Sequence, residues 1–281
     1  MSTDPRHVVL ITGTSSGIGL ATAVSAARAG WTVVATMRDP SRAGRLRAAA
    51  ADVGVEVDVR ALDVTDADSA RVCLTGVMAD HGRLDALVNN AGSAHVGTVE
   101  TDPMGAIRES MEVNFFGVVA LTQLAMPLLR TTGGRVVTVT SVGGVVGQPF
   151  NEAYCAAKFA VEGFMEALAP VAATVGVGVA VVEPAAVASE FIGSLGLDVE
   201  ALVSAAGPYA APMAAYLDRT GVAFAAAQPA AEVGDVIAGV LSADPLPFRS
   251  QTSDGATRFV GLKLADLDGA AVQRLTASWL M

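Results

Sequence analysis

Lysine is almost missing from this chain: of 18 Lys+Arg, only Lys158 and Lys263 are lysines. Arginine serves nearly everywhere else, so a lysine at 158 calls for a reason. There is no basic run, and the net charge is -10. That argues against nucleic acid or an anionic membrane surface as partner. A polyanionic cofactor stays possible, because backbone amides and one local arginine can hold phosphate. Cysteine is scarce as well. Cys73 and Cys155 make no disulfide framework, and Cys155 reads best as a small packed residue. His7, His81 and His95 are scattered without ligand spacing, so no metal is expected. The opening MSTDPRHVVLIT lacks a basic leader and an apolar core. No uninterrupted apolar run reaches the length of a bilayer span. Neither a signal peptide nor a membrane span is therefore expected, and a cytoplasmic protein is.

What the chain does have is apolar bulk, 52% hydrophobic against 16% charged residues. The length fits one large α/β domain or two small ones. No repeat, linker or boundary divides it, which favours a single domain over 1–281. Short apolar runs at 7–12, 31–37, 84–89, 135–141 and 177–183 suit buried parallel strands. The alternation Val55, Val57, Val59 against Glu56, Asp58, Arg60 predicts another strand over 55–62. Helical stretches fall between them at 17–29, after Ser41, at 66–80, within 103–130 and at 152–174. Alternating strand and helix predicts a doubly wound parallel sheet with helices on both faces. Beyond Pro184 the rhythm breaks until a helix near 230–241 and a short strand near 248–251.

Between the first strand and first helix lies T-G-T-S-S-G-I-G, Thr12 to Gly19. Gly13 can make the tight turn, Gly17 lets backbone approach a pyrophosphate, and Gly19 permits close helix–strand packing. The helix N-terminus then faces the anion. The spacing is G-x-x-x-G-x-G rather than the usual dinucleotide fingerprint. Asp63 follows the third strand and can accept an adenine amino proton or cap a helix in DVTDAD. Asn89-Asn90-Ala91-Gly92 ends the fourth strand, and strand carboxyl ends line the ligand cleft of such sheets. The second strand ends Met37-Arg38-Asp39. An arginine there accommodates a 2′-phosphate and an acid grips a free 2′-hydroxyl. Arg38, helped by Ser15, favours NADP(H). Asp39, about 20 residues past the loop, keeps NAD(H) as the alternative.

From Ser141 to Lys158 the chain reads SVGGVVGQPFNEAYCAAK. If Asn151 or Glu152 opens a helix, Tyr154 and Lys158 share a face one turn apart. A fixed ammonium then makes the phenol easier to ionise than a free one, whose pKa is about 10. Ser141, at a strand end, can hold a carbonyl or alcohol oxygen nearby. That is an acid/base site for moving a proton on a substrate oxygen.

With these residues in order, the chain resembles the short-chain dehydrogenase/reductase family over about 10–190. The carriers are the loop at 12–19, Asn89-Asn90-Ala91-Gly92, Asn114 in V-N-F-F-G, Ser141, and Tyr154-x-x-x-Lys158. Ser141 to Leu168 and A-T-M-R-D at 35–39 also resemble its 17-beta-hydroxysteroid and retinol dehydrogenase branch. The resemblance implies a Rossmann-like fold and catalytic roles. Tyr154 would be the general acid or base. Ser141 would polarise the substrate oxygen. Lys158 would lower the tyrosine pKa and hold the nicotinamide ribose. Asn114 would bend its helix and fix a water in a proton relay. It also implies cofactor contacts from Gly13, Ser15, Ser16, Gly17, Ile18, Gly19, Arg38, Asp63, Val64, Asn90, Ala91, Gly92, Pro184 and Val187. A homodimer or homotetramer built on the helices through Asn114 and Tyr154 is implied too. One departure is Pro184-Ala185, where the family has Pro-Gly: Ala185 lacks the φ freedom of glycine, which puts the contacts of Val187 and Ser189 in doubt.

Residues 190–225 carry Phe191, Ile192, Leu195, Leu197, Leu202, Val203, Tyr209, Met213, Tyr216 and Leu217, interrupted by Gly193, Gly196, Gly207, Pro208 and Pro212. They read as a lid of short helices which, with Val142, Val146 and Phe150, walls an apolar pocket. Core or subunit interface is an equal reading of the same residues. A lid implies a lipophilic substrate of steroid, retinoid or fatty type. His95 would border it or take a non-catalytic place at the surface or in the pocket wall. Two alternatives stand beside an NADP(H)-dependent oxidoreductase of an alcohol/carbonyl pair. One is a catalytically silent redox sensor or scaffold. The other is an NAD-linked dehydrogenase of a different small alcohol. A sugar-nucleotide epimerase would share the Tyr/Lys pair but expects another glycine spacing.

Overall fold

The computed structural model describes residues 7–188, 198–266, 268 and 270–281. Seven parallel strands form one sheet: β1 Val8–Thr12, β2 Thr32–Met37, β3 Asp58–Ala61, β4 Ala86–Asn89, β5 Arg135–Val139, β6 Gly178–Glu183 and β9 Arg249–Gln251. Their order is β3-β2-β1-β4-β5-β6-β9. The chain therefore reverses direction of winding after β3, between β1 and β4, where open α/β sheets bind ligands. A small second sheet pairs β7 Val187–Ala188 with β8 Gln228–Pro229.

Both faces of the sheet are covered, which is why its strands are apolar runs rather than alternations. Val8 and Leu10 point to one face, with Leu87, Val136 and Val181. There α3 (Ala67–His81), α5 (Gly117–Thr132) and α6 (Glu152–Ala173) pack through Val77, Leu121, Leu129 and Met165. Val9 and Ile11 point to the other, with Val88, Val137 and Val182. There α1 (Gly17–Arg28) and the helix Ala230–Ser242 supply Ala23, Ala26, Val233 and Ile237. Gly234 seats these two helices close: a Cβ on it would come within 2.7 Å of the Ala21 carbonyl carbon.

Three expectations are revised. The strand read over 55–62 is only Asp58–Ala61, because the Val55 amide is taken by Ala50 O at the end of the preceding helix. The helix within 103–130 runs from Met104 to Thr132 and is, by length and composition, apolar enough to cross a membrane, against the expectation of no such segment. The polar residues that interrupt its apolar run are too few to lower its average. In the fold Val118, Leu121, Ala125 and Leu129 of this helix are buried against the sheet. Thirdly, among the described residues Val142 and Val146 do not pack in the cluster that the expected lid residues form. They are covered by the helices Asp254–Ala265 and Ala270–Ala277 through Ala256, Val260 and Val272.

The lower edge of the sheet is held by one carboxylate. Asp85 is 4% exposed. It accepts from Val8 N at 2.8 Å and from Arg83 Nη2 at 2.6 Å, and His7 Nδ1 lies 3.2 Å away. Burial pushes its carboxyl up, but the hydrogen bonds from Arg83, Val8 and His7 outweigh it and hold the group below its ordinary value. A carboxyl depressed in the fold stabilises it fully above the unfolded pKa and loses that stabilisation as pH falls towards the folded one. We expect Asp85→Ala to cost about 1–3 kcal/mol at pH 7, as a buried amide loses its acceptor. The cost should shrink on acidification below about pH 4, read as urea midpoints of both proteins across pH.

Candidate active site

The carboxyl ends of β1, β4 and β5 converge on one cleft, and side chains of the first two hold each other. Thr12 Oγ1 accepts from the amides of Asn90 and Ala91, both at 2.9 Å. Asn90 Nδ2 donates back to Thr12 O at 2.8 Å and Gly13 O at 3.2 Å. Gly13 (φ 70°) and Gly17 (φ 57°) adopt the left-handed conformation that favours glycine. A Cβ on Gly19 would overlap Gly13 O and Asn90 Nδ2. Ser16 precedes α1 in extended backbone and makes no side-chain cap. The first-turn amides of Gly17, Ile18 and Gly19 are thus left without a capping side chain, and an anion beside Ser15 and Ser16 suits them. Asn89 is not a cleft residue: its side-chain nitrogen is buried against Thr122 at 3.0 Å.

At the cofactor edge the acid and the arginine separate. Asp39 turns back to accept from Ser41 N at 2.9 Å, and the Ser41 hydroxyl and then its amide hold the carboxyl below the ordinary value. Arg38 is exposed and, among the described residues, makes no ion pair. Asp63 accepts from the amide and hydroxyl of Thr65, at 2.9 and 2.8 Å, while Asp66 caps α3. Val64 lies beneath the helix through Asn114, where a Cβ on Gly117 would meet Val64 O at 2.8 Å.

Asn114 is fully buried in a π-helical turn, Glu112–Phe116, that offsets Met104–Met111 from α5. Such turns recur at functional sites. Its side chain donates to Ser93 O at 2.9 Å and Ser110 O at 3.0 Å and accepts from Ser93 N at 3.2 Å. Gly92 lies between Asn114 and Lys158: a Cβ there would be 2.8 Å from Asn114 Oδ1 and 3.6 Å from Lys158 Nζ.

Across the cleft, Ser141 follows β5 in extended backbone, its oxygen accepting from Gly143 N at 2.9 Å. Tyr154, on the first turn of α6, lies beside Ser141: a Cβ on Gly143 would be 3.3 Å from both Ser141 Oγ and the Tyr154 ring. Lys158, 5% exposed, donates from Nζ to Val139 O at 3.2 Å and lies 5.8 Å from the Tyr154 ring centre. The electrostatics depart from expectation. Burial pushes the Tyr154 phenol up to about 12, against the Ser141 hydrogen bond. Burial also pulls Lys158 down to about 8, against Glu162. The ammonium turns to a carbonyl rather than to the phenol oxygen, and enclosure of both groups outweighs their attraction.

The far wall is apolar. Phe150 packs with Met213 and Tyr216, joined by Val96, Leu202, Val203, Tyr209 and Leu217. Phe150 holds φ 60°, a costly conformation for an aromatic residue. Asn151 Nδ2 donates to Tyr216 OH at 2.5 Å, so the start of the Tyr154 helix is tied to this wall. Trp279 joins it from the C-terminus, stacked 5.8 Å from Phe259. No sequence expectation covered Trp279, although Phe259, Leu262, Val272 and Trp279 are an apolar series that could have raised it. Phe191, Ile192, Leu195, Leu197 and Ser189 lie outside the described residues. His95 bonds Asp102 through Nε2 at 2.6 Å and precedes Val96 of this wall. Pro184 O accepts from Val142 N at 3.0 Å, and Val187 pairs with Gln228. Ala185 has no positive φ, so the loop needs no glycine at that point.

A short chain dehydrogenase family model matches residues 7–200. Retinol dehydrogenase 8 of Bos taurus is 37% identical, covering 96% of this chain and 89% of its own length. Estradiol 17-beta-dehydrogenase 1 of Rattus norvegicus is 41% identical over 66% of this chain and 55% of its own. The crystal structure of a short-chain dehydrogenase from Streptomyces avermitilis superposes with a TM-score of 0.76 at 30% identity, covering 97% of both chains.

Gly19 tests the built loop. We expect Gly19→Ala to destabilise by about 1–3 kcal/mol, because the methyl must displace the Gly13 carbonyl and the Asn90 amide bonded to it. Urea unfolding measures this.

Proposed function

The chain belongs to the short chain dehydrogenase family, whose members act on CH–OH groups with NAD(P), and from that premise we propose that it interconverts a lipophilic ketone or aldehyde and its alcohol with NADP(H). The observation that carries this is the convergence of Ser141 and Tyr154, both 3.3 Å from a Cβ placed on Gly143, with buried Lys158 one turn beyond.

The residues present fit a dinucleotide. The α1 amides lack a side-chain cap, and Lys158 spends one of three donors on Val139 O, leaving two for ribose hydroxyls. When bound, the nicotinamide supplies or accepts hydride. In reduction Tyr154 gives its proton to the substrate oxygen, and Ser141 hydrogen-bonds that oxygen. A phenol near 12 and an amine near 8 leave Tyr154 protonated and Lys158 charged at pH 7, the forms that donation requires. Asn114 acts through structure, since its side chain is spent on Ser93 and Ser110. A relay water would use backbone groups that the π turn takes out of the regular ladder.

Arg38 supports NADP(H): it has no internal partner among the described residues, while Asp39 is turned away to Ser41. The apolar wall of Phe150, Met213 and Tyr216 supports a lipophilic substrate, as does the likeness to a retinol dehydrogenase along most of both chains. We infer a homo-oligomer as well, supported by Phe116 and Phe159, which are 50% and 38% exposed on the helices through Asn114 and Tyr154.

Assays with NADPH and a panel of lipophilic ketones and aldehydes test the activity. We expect Tyr154→Phe to lower kcat about 10²–10⁴-fold, the usual share of general acid catalysis, with NADPH binding retained. Cofactor binding with no turnover of any carbonyl, and no effect of Tyr154→Phe, would instead mark a sensor. Arg38→Ala should weaken NADPH by about tenfold, roughly 1.4 kcal/mol, and NADH little. Equal losses for both, by fluorescence titration, would remove Arg38 from phosphate binding.

A further inference from the structure

Beyond Lys158, on the side away from Tyr154, lies a buried charged cluster that the proton transfer does not use. Glu162 follows Lys158 by one turn on α6, so the two share a face. The side chain of Glu162 is 6% exposed. Thr140 Oγ1 donates to Glu162 Oε1 at 2.5 Å, and Arg249 Nη2 donates to Oε2 at 3.0 Å. Arg249 Nε lies 2.7 Å from Glu183 Oε1, an ion pair whose angle is too poor for a hydrogen bond. Glu183 is fully buried and accepts from Gln251 Nε2 at 2.7 Å. Glu166, exposed, takes the same arginine at 3.3 Å.

The placement of Thr140 matters. It stands between Val139, whose carbonyl takes Lys158, and Ser141, which meets the phenol. Lys158 and Glu162 are therefore held by neighbouring residues of one strand end. Gly144 presses on the same turn: a Cβ there would come 3.0 Å from both Glu162 Cγ and Lys158 O. The other titratable groups on this helix near Lys158 are Tyr154 and Cys155, both pushed up by burial and uncharged at pH 7. Past Gly92 the facing side chain is Asn114, which is neutral. Glu183 and Glu166 meet this cluster through Arg249, which bonds Glu162.

Resting on the assignment of Lys158 to the reaction, we propose that Glu162 is a positioning residue: gripped by Thr140 and Arg249, its carboxylate supplies the buried negative charge that keeps Lys158 an ammonium aimed along the strand end. Burial pulls the lysine down, and Glu162, one turn along the same helix face, is the group that opposes it. Removing that charge lets Lys158 lose its proton at lower pH.

With two lysines in the chain, carbon-13 labelling at lysine Cε gives two resonances, and Lys263→Arg leaves Lys158 alone. In that background Lys158 should titrate near 8. In Glu162→Gln it should titrate lower by about one unit or more. The alkaline limb of kcat/KM for carbonyl reduction should move down with it. Glu166→Gln, which takes a carboxylate from the same arginine, should change neither. Where Glu162→Gln fails to fold, Thr140→Val should give a smaller shift in the same direction. An unmoved Lys158 titration in folded Glu162→Gln overturns the proposal, as does an equal shift in Glu166→Gln. Wild-type kinetics of Lys158→Met would instead remove both residues from the reaction, while the titration still shows whether their pairing exists.

Discussion

A buried ammonium whose nearest partner is a backbone carbonyl is the constraint on which this site is built. Lys158 is enclosed, and enclosure disfavours its charge. Its compensation is partial: Val139 O at 3.2 Å and a carboxylate one turn on. A cation held this way retains donors for an incoming ligand. Arginine, with a planar fork that stays charged, could not be tuned like this. That answers why a chain so poor in lysine has one at 158.

The rest of the fold positions that charge. Strands buried on both faces bring their carboxyl ends to one edge, and the crossover between β1 and β4 opens a cleft there. Thr12 and Asn90 lock the glycine loop to the turn after β4. Asn114 locks the same turn from the other side, through Ser93. The three segments that would meet a dinucleotide are thus joined by hydrogen bonds independent of any ligand, which lowers the ordering cost of binding. The opposite wall is of another kind: aromatic and aliphatic side chains pack there, with strain at Phe150.

Much of this was legible in residue order. The strand–helix alternation, the glycines at 13, 17 and 19, and the Ser141, Tyr154 and Lys158 series each depend on local periodicity or spacing, whereas Asn114 was singled out only by the family resemblance. Where reading the chain fell short, the deciding contact was distant. Val142 and Val146 read as pocket wall, yet helices from beyond residue 254 cover them. Val55 carries a strand pattern, but its amide closes the previous helix. Trp279 reaches the apolar wall from the far end of the chain.

The chain by itself determined which chemistry is available and in what order it comes: a phenol, an amine four residues later, a hydroxyl before both, and turns able to admit phosphate. Short-range geometry suffices for that, since helical pitch and glycine's φ freedom act within a few residues. Only the tertiary structure decided the direction in which the pKa values of those groups move. Spacing alone has the amine acidifying the phenol. In the fold Lys158 is buried and Tyr154 half-buried, the amine turns to Val139, and desolvation moves the two pKa values towards the uncharged forms. Burial is a property of everything packed around a group, including Glu162, Arg249 and Glu183 from three separate elements, and no local pattern encodes it.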